Sequence, residues 1–424
     1  RKWRVRNMII RARKILPITS PPIDNGAVVV MGRKIIDLGK EKAIIKKYPA
    51  EKVVDLGQRL VMPGLVNAHT HLELSNLQGM LGEKDDFFDW IIGLVELRKK
   101  IRDKGRSAAV LENLQGLLAS GTTCIGDVSG TDKPLPEIIR SGIRAVFFLE
   151  TIGPDEKQAE RAFHELVRRL KRLKKLPERV LPGLSPHSPY SVSSRLFSNI
   201  SEYTSSNKLS IAVHLSETKD ETFYMSGKKS RMDAYMKHFG WDRFRKSYKG
   251  TSTRYLKEFG LLSRLLAVHA VHVDKNDIKM LKAAGASVAY CPRSNHLLGV
   301  GSAPVESFLE SGINVGIGTD SLASNIDLDL WEEMRFAYLV NSIPASKIIE
   351  MGTIGGARAL GLGSITGSLE PGKDADIIAI HTRASTKEDP YQALLLGTKK
   401  EDVSATIVQG KPLHSTDGYI SYGI

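Results

Sequence analysis

A chain of 424 residues with 42% hydrophobic and 25% charged residues has the composition of an ordinary soluble globular protein, long enough for two or three domains or for one barrel with an accessory unit. No stretch approaches the roughly 18 consecutive apolar residues of a membrane span, and Arg1-Lys2-Trp3-Arg4 is not followed by the apolar region of a secretory signal, so both are excluded. Two cysteines, Cys124 and Cys291, cannot build a disulfide scaffold and fit a reducing cytoplasm, while the net charge of +14 leaves nucleic acid, an anionic membrane or steering of anionic substrates to be weighed.

In chain order, residues 1–60 hold short strand-like runs at 3–10, 27–31 and 53–54, punctuated by Gly26, Gly32 and Gly57. An apolar run, Leu60-Val61-Met62, reads as the approach to a buried strand, with Pro63-Gly64 before Leu65-Val66 and the pair His69-Thr70-His71. Helical periodicity follows over 87–101, then strand-like runs at 122–127 and 144–149. A helix is expected over 156–175. Its basic run Arg168-Arg169-Leu170-Lys171-Arg172-Leu173-Lys174-Lys175 is interleaved with Leu166, Val167, Leu170 and Leu173 at helical spacing, which makes it the solvated face of an amphipathic helix rather than a nucleic-acid patch. Further strand-like runs occupy 180–184, 209–215, 265–271, 286–291 and 313–317. With the strand before His69 that makes eight, alternating with helices, the pattern of a parallel (β/α)₈ TIM barrel whose active site gathers at the C-terminal ends of the strands. Strand-like material returns at 375–380 and 405–408, so the two chain ends are expected to pair into one small β-sandwich. The division expected is 1–60 with 366–424 for the sandwich and 61–365 for the barrel.

Ligand-type side chains recur at the ends of these runs. On an extended backbone His69 and His71 point to one face and form a natural pair of donors for a borderline metal such as zinc, although two unrelated histidines could share that spacing. His187 follows the fourth run in Ser185-Pro186-His187-Ser188-Pro189-Tyr190. His214 and Glu217 follow the fifth, His269 and His272 fall on the sixth, and Asp320 follows the eighth in Gly318-Thr319-Asp320-Ser321. Most of the eleven histidines cluster in this way, and scattered surface histidines would not.

These segments, with Thr122-Thr123 and Ser321-Leu322-Ala323-Ser324-Asn325, match in order those of the amidohydrolase superfamily, and the resemblance covers nearly the whole chain. It is narrower towards the single-metal branch of adenosine-type, S-adenosylhomocysteine and methylthioadenosine deaminases, guanine deaminase and triazine hydrolases. Within that branch His69-Thr70-His71-Leu72-Glu73-Leu74-Ser75 and Cys291-Pro292-Arg293-Ser294-Asn295-His296-Leu297-Leu298-Gly299 look most like aminofutalosine deaminases. The resemblance implies that His69, His71, His214 and Asp320 bind one divalent ion, zinc or iron, and the segment 183–187 lacks the bridging lysine of binuclear relatives. It implies that His269 and Asp320 take the proton of an attacking water and that Glu217 protonates a ring nitrogen. The implied activity is deamination of the 6-amino group of an adenine-type nucleoside, aminofutalosine first, with methylthioadenosine, S-adenosylhomocysteine and adenosine as alternatives. A guanine- or cytosine-type base deaminase and a triazine chlorohydrolase remain open, and a non-catalytic barrel scaffold is opposed by the complete set of ligand and acid–base residues.

Substrate contacts are expected from His187, whose bland reading is a loop histidine between two prolines, and from Ser324, otherwise a plain turn serine. The segment after the first strand forms a lid in such proteins. Arg98 there could clamp a carboxylate and Glu96 could hold ribose hydroxyls, unless both are simply solvated. His272, a strand step of three from His269, is expected to pack rather than ligate. The long 219–258 segment, with Tyr235, Trp241 and Tyr248, is placed to set specificity. The expected partner is a small purine nucleoside, with neither nucleic acid nor membrane, and the commonest assembly for such a protein is a homodimer.

Overall fold

The computed structural model describes residues 7–82, 86–101, 103–244, 248–381 and 389–416. Two eight-stranded sheets organise it. The N-terminal part supplies β1 (Met8–Ile15), β2 (Ile23–Met31), β3 (Lys34–Lys40), β4 (Lys52–Asp55) and β5 (Leu60–Pro63). Of the strand expected at 3–10, residues 3–6 lie outside the described residues, and the observed strand runs on to Ile15. The barrel follows as β6 (Leu65–Thr70), β7 (Thr122–Ser129), β8 (Arg144–Thr151), β9 (Val180–Pro186), β10 (Ile211–Leu215), β11 (Leu265–His269), β12 (Ser287–Tyr290) and β13 (Asn314–Ile317). The chain closes with β14 (Ile377–Ile380), β15 (Val403–Val408) and β16 (Lys411–Ser415).

In the terminal sheet the strands lie in the order β16-β15-β14-β5-β1-β2-β3, with β4 also paired to β1. The two chain ends meet where β5 runs parallel to β1 and antiparallel to β14. Ile10, Val28 and Val30 from one end share a buried cluster with Ile377, Ala379 and Ile407 from the other, so neither end has a complete core alone. The run Leu60-Val61-Met62 therefore belongs to this sheet and not to the approach to the barrel. The change of sheet falls at Gly64, where a Cβ would stand 2.1 Å from the Thr123 side chain. Only a residue without a side chain lets the chain pass that close to β7.

The barrel strands are parallel neighbours in sequence order from β6 to β13. A parallel bridge between Thr70 and Asp320 joins the first strand to the segment after the last. Val66, Ala68, Cys124, Phe148, Val268 and Cys291 fill the barrel interior. Strands buried on both faces read as continuous apolar runs, which is why these eight show little alternation. Both cysteines are free and buried and act as small apolar fillers.

At the end of the barrel away from the site, Arg144 donates to Asp376 at 2.7 Å and to Asp374 at 2.8 Å, tying β8 to the C-terminal strands. The basic helix Ala159–Arg172 buries Leu166 and Leu170, while Arg168 and Arg172 are exposed and paired with acids. Arg169 alone turns inward and donates to the carbonyls of Ser129 and Glu150, bracing the C-terminal ends of β7 and β8. Among the described residues no helix is long and apolar enough to cross a membrane.

Candidate active site

The C-terminal ends of β6, β10 and β11 and the turn after β13 converge on one point. His69 lies on β6 with His71 just beyond it, His214 lies on β10, His269 closes β11, and Asp320 stands three residues past β13. His69 Nε2 and His71 Nε2 are 3.5 and 3.6 Å from Asp320 Oδ1, and His71 Nε2 is 3.3 Å from His214 Nε2. The backbone bends sharply to bring them together. Ser216, His269, Ala270 and Asp320 all adopt positive φ, 49°, 67°, 47° and 59°. Such conformations cost about 1–3 kcal/mol each in residues other than glycine and persist where the surroundings enforce them. At Asp320 that enforcement includes its N–H, which donates to the His69 carbonyl at 3.0 Å.

The electrostatics suit a cation. His69 is fully buried, yet among the described residues neither of its ring nitrogens has a hydrogen-bond partner. Burial pushes His69 and His214 below the ordinary imidazole value and His71 down to about 4, so the rings stay neutral and offer lone pairs. Burial alone would push Asp320 up, but the imidazoles facing it hold it well below the usual carboxylate range. The hydroxyls of Ser294 and Ser324 donate to its Oδ2 at 2.7 and 2.8 Å, which further favours the ionised form. His69, His71 and Asp320 place one donor atom each within 4.8 Å of one another, and so do His69, His214 and His269. Three neutral imidazoles, one of them without a hydrogen-bond partner, and a carboxylate converging on one point fit a divalent ion with a position left for water.

Beside this set stand an acid and a base. His269 Nε2 lies 3.5 Å from Glu217 Oε1. Burial raises Glu217 above the ordinary carboxyl value, only partly offset by His269, so it tends to keep its proton. Glu221, four residues on, accepts from the backbone N–H groups of Ser216 and Glu217 at 2.9 and 3.1 Å and from the Ser252 hydroxyl at 2.6 Å. It locks the turn that aims Glu217. Asn295 Oδ1 lies 2.9 Å from His269 Nδ1. With the amide oxygen facing the ring, Nδ1 donates and the Nε2 lone pair is left towards Glu217. Asn295→Ala is therefore expected to lower turnover by about 10- to 100-fold with bound metal unchanged, read by kinetics and metal analysis together.

A cavity of about 280 Å³ opens above these groups. One wall is the helix Phe87–Ile101, which presents Trp90, Ile91, Leu94 and Arg98. The opposite wall carries Tyr235, Phe239 and Trp241 from the 219–258 segment. The two walls touch where Phe88 meets Tyr235, ring centroids 5.6 Å apart, and where Arg231 pairs with Asp86.

A family model described as the amidohydrolase family matches residues 60–413. The chain belongs to the amidohydrolase family. It is a hydrolase acting on C–N bonds. A 5-methylthioadenosine/S-adenosylhomocysteine deaminase of Moorella thermoacetica is 28% identical to this amidohydrolase over 425 aligned positions, 96% of this chain and 94% of its own. The aminofutalosine deaminase of Helicobacter pylori, solved in complex with methylthio-coformycin, superposes with a TM-score of 0.86 at 25% identity over 96% of this chain and 99% of its own. An adenosine deaminase from Xanthomonas campestris, solved with bound zinc, shares the fold with a TM-score of 0.83 at 24% identity over 98% of this chain and 95% of its own.

The remaining residues singled out in the sequence of this amidohydrolase fall in different places. His187 lines the cavity, its Nδ1 2.9 Å from the Ser191 hydroxyl, and burial pushes it down to about 3. Arg98 lines the cavity too, with Nη2 2.8 Å from Glu73 Oε1. Glu96 does not reach the cavity: its side chain is 60% exposed and pairs with Lys99. Ile91, Leu94, Val95 and Arg98 form the inward stripe of that helix, at i, i+3, i+4 and i+7, which leaves Glu96 facing outwards. Ser324 is also a correction. Its hydroxyl is spent on Asp320, and it stands behind the carboxylate rather than on the cavity wall. His272 packs as expected, donating from Nε2 to the Val300 carbonyl at 2.7 Å.

Beyond Glu221 and Asn295, three more contributors carried no assignment in the sequence reading. Glu73 sits inside the histidine motif, buried, and accepts from Arg98, Ser129, the Gly130 and Thr131 N–H groups and the Thr131 hydroxyl. Glu150, on β8, lines the cavity, and burial together with the nearby Glu73 charge raises it to about 8. Phe239 completes the aromatic wall. The position of Glu150 at the end of a barrel strand was the one signal available for it.

Proposed function

We propose that this amidohydrolase deaminates the 6-amino group of an adenine-type nucleoside, giving the 6-oxo product and ammonia, with one divalent ion, zinc or iron, held by His69, His71, His214 and Asp320. The observation that carries the reading is the pairing of a buried carboxyl, Glu217, with an imidazole, His269, 3.5 Å apart and beside the three-imidazole, one-carboxylate set. When bound, the ion supplies Lewis acidity that lowers the pKa of water towards neutrality. The protein residues do the rest. His269, with Nε2 free, and Asp320 take the proton that water gives up as its oxygen bonds to C6. Glu217 delivers its proton to the ring nitrogen next to C6, so that the negative charge developing on the ring is neutralised as it forms. The proton held by His269 or Asp320 then passes to the amino group, the C–N bond breaks and ammonia leaves, and the remaining proton of the C6 hydroxyl returns to the Glu217 carboxylate to give the 6-oxo product.

Arg98, oriented by Glu73, is the residue suited to a substrate carboxylate, and this favours the two candidates that carry one, aminofutalosine and S-adenosylhomocysteine, with aminofutalosine kept first. Methylthioadenosine, S-adenosylhomocysteine and adenosine are its rivals, and relatives named for the first two and for aminofutalosine support the class. The test is ammonia release by metal-replete protein against these four nucleosides, guanine, cytosine and a chlorotriazine. A kcat/KM above roughly 10⁴ M⁻¹s⁻¹ on one nucleoside, and far less on the bases and the triazine, is the expected result. Silence on every nucleoside from protein with stoichiometric metal would overturn the proposal.

A further inference from the structure

Glu333 is a buried carboxyl that belongs neither to the cavity wall nor to the metal-binding set. It sits in the first turn of the helix Leu330–Val340 and is fully shielded from solvent. Burial pushes it up to about 8, with Asn325 and Arg293 pulling the other way. Keeping an acid in such a place costs stability that an apolar side chain of the same volume would not. Both of its oxygens are occupied. Oε1 accepts from Asn325 Nδ2 at 2.5 Å, and Oε2 accepts from the backbone N–H of Arg293 at 3.2 Å. The Arg293 guanidinium stands 3.7 Å from Oε1 and is itself bound to Asp327.

These two contacts lie directly behind the proton acceptors. Asn325 Nδ2 also donates to the Thr319 carbonyl at 2.8 Å, and the N–H of the same peptide, that of Asp320, donates to the His69 carbonyl at 3.0 Å. The peptide is held at both ends, which keeps Asp320 at its φ of 59°. Arg293 stands second in the short helix Pro292–Leu297, and the two residues after it reach the site. Ser294 donates to Asp320 Oδ2, and Asn295 Oδ1 faces His269 Nδ1. One carboxyl thus joins the segment after β12 to the segment after β13. We infer that Glu333 is a positioning residue: by clamping these two segments together it sets the geometry of both proton acceptors, Asp320 through Asn325 and Thr319, and His269 through Arg293 and Asn295. The inference rests on the deaminase reading and extends it to a residue outside the cavity. Glutamine is an incomplete substitute. In either protonation state each carboxyl oxygen keeps a lone pair for its donor, whereas the amide nitrogen of glutamine has none to offer.

The experiment compares wild type with Glu333→Gln, Glu333→Met, Asn325→Ala and the Glu333→Met/Asn325→Ala double variant on the preferred nucleoside. Metal is saturating, and the temperature is one at which thermal denaturation shows each protein to be folded. Glu333→Met is expected to lower kcat by roughly 10- to 100-fold with KM within about 3-fold of wild type, because the loss falls on the groups that move protons and not on the cavity wall. Glu333→Gln, which keeps one of the two acceptors, falls in between. The metal Kd, measured by competition with a chelator, rises by about 10-fold in Glu333→Met and Asn325→Ala, since both loosen Asp320. The double variant loses less than the product of the single losses, because Glu333 and Asn325 act along one path. A folded Glu333→Met with kcat within about 3-fold of wild type, a loss that appears in KM alone, or losses that multiply fully in the double variant would each overturn the inference while leaving deaminase activity in place. Where a methionine variant does not fold, Glu333→Gln and Asn325→Ala decide by the same measures. Wild type that turns over no nucleoside would overturn the deaminase reading instead, and the metal Kd, which needs no substrate, still tests the hold on Asp320.

Discussion

Glu217→Gln lowers kcat/KM for the preferred nucleoside by about 10²- to 10⁴-fold, the range for loss of a general acid, with metal content unchanged. The substitution removes the transferable proton and little else. Glutamine has the same shape, and the backbone N–H of residue 217 stays fixed by Glu221 at 3.1 Å. The carboxyl is buried, and that burial raises its affinity for the proton above that of an ordinary carboxyl. An amide cannot give up a proton at neutral pH, so the developing ring charge goes unneutralised. The loss should appear mainly in kcat, since an amide still offers a hydrogen bond to the bound substrate. Retention of more than about a tenth of wild-type activity would show that the ring proton comes from elsewhere.

His69→Ala should remove both metal and activity. This imidazole is completely buried, and among the described residues neither nitrogen has a hydrogen-bond partner, Nε2 standing 3.5 Å from Asp320 Oδ1. Among the described residues nothing else stands ready to take its place in the set. Metal analysis of the variant is expected to give well below one ion per chain, and turnover to fall by about 10⁴-fold or more, as expected when the means of activating water is lost. Thermal denaturation supplies an independent measure. Metal added to stripped wild type at about 100 times its Kd should stabilise the fold by roughly 2.7 kcal/mol, and the variant should show little of this shift. Chelated wild type that keeps full activity, or a variant that binds metal stoichiometrically, would remove His69 from the site.

Much of the site was legible because its cues are local. His-x-His on one strand needs only the two-residue period of an extended chain, and the remaining ligand-type residues each follow an apolar run that could be counted as a barrel strand. Glu96 and Glu150 show where such cues end. The helix Phe87–Ile101 carries Ile91, Ile92, Leu94, Val95 and Leu97 around much of its circumference, so its sequence does not say which side faces the cavity. The inward stripe is set by what lies opposite, Phe88 against Tyr235 and Leu94 beside Leu74. Arg98 falls on that stripe and Glu96 does not. Glu150 follows the apolar run Val146-Phe147-Phe148-Leu149 and reads simply as the end of a strand until the barrel brings it beside His187 and His214.

By itself the sequence determined the eight-fold alternation of the barrel and the set of imidazoles and acids at the strand ends, because these depend on backbone periodicity and on the order of elements, and it suggested a pairing of the chain ends that the strand contacts then showed. Only the tertiary structure decided that Leu60–Pro63 belongs to the terminal sheet, that Ser324 stands behind Asp320, that Asn295 and Glu221 hold His269 and Glu217, and that Glu150 rather than Glu96 faces the cavity. Most of these turn on which elements meet across gaps of tens to hundreds of residues, while Ser324–Asp320 and Glu221–Glu217, four residues apart, turn on how the chain bends between them. A buried strand looks the same in either sheet, and a carboxylate looks the same on either face of a helix, until the opposing surface closes on it.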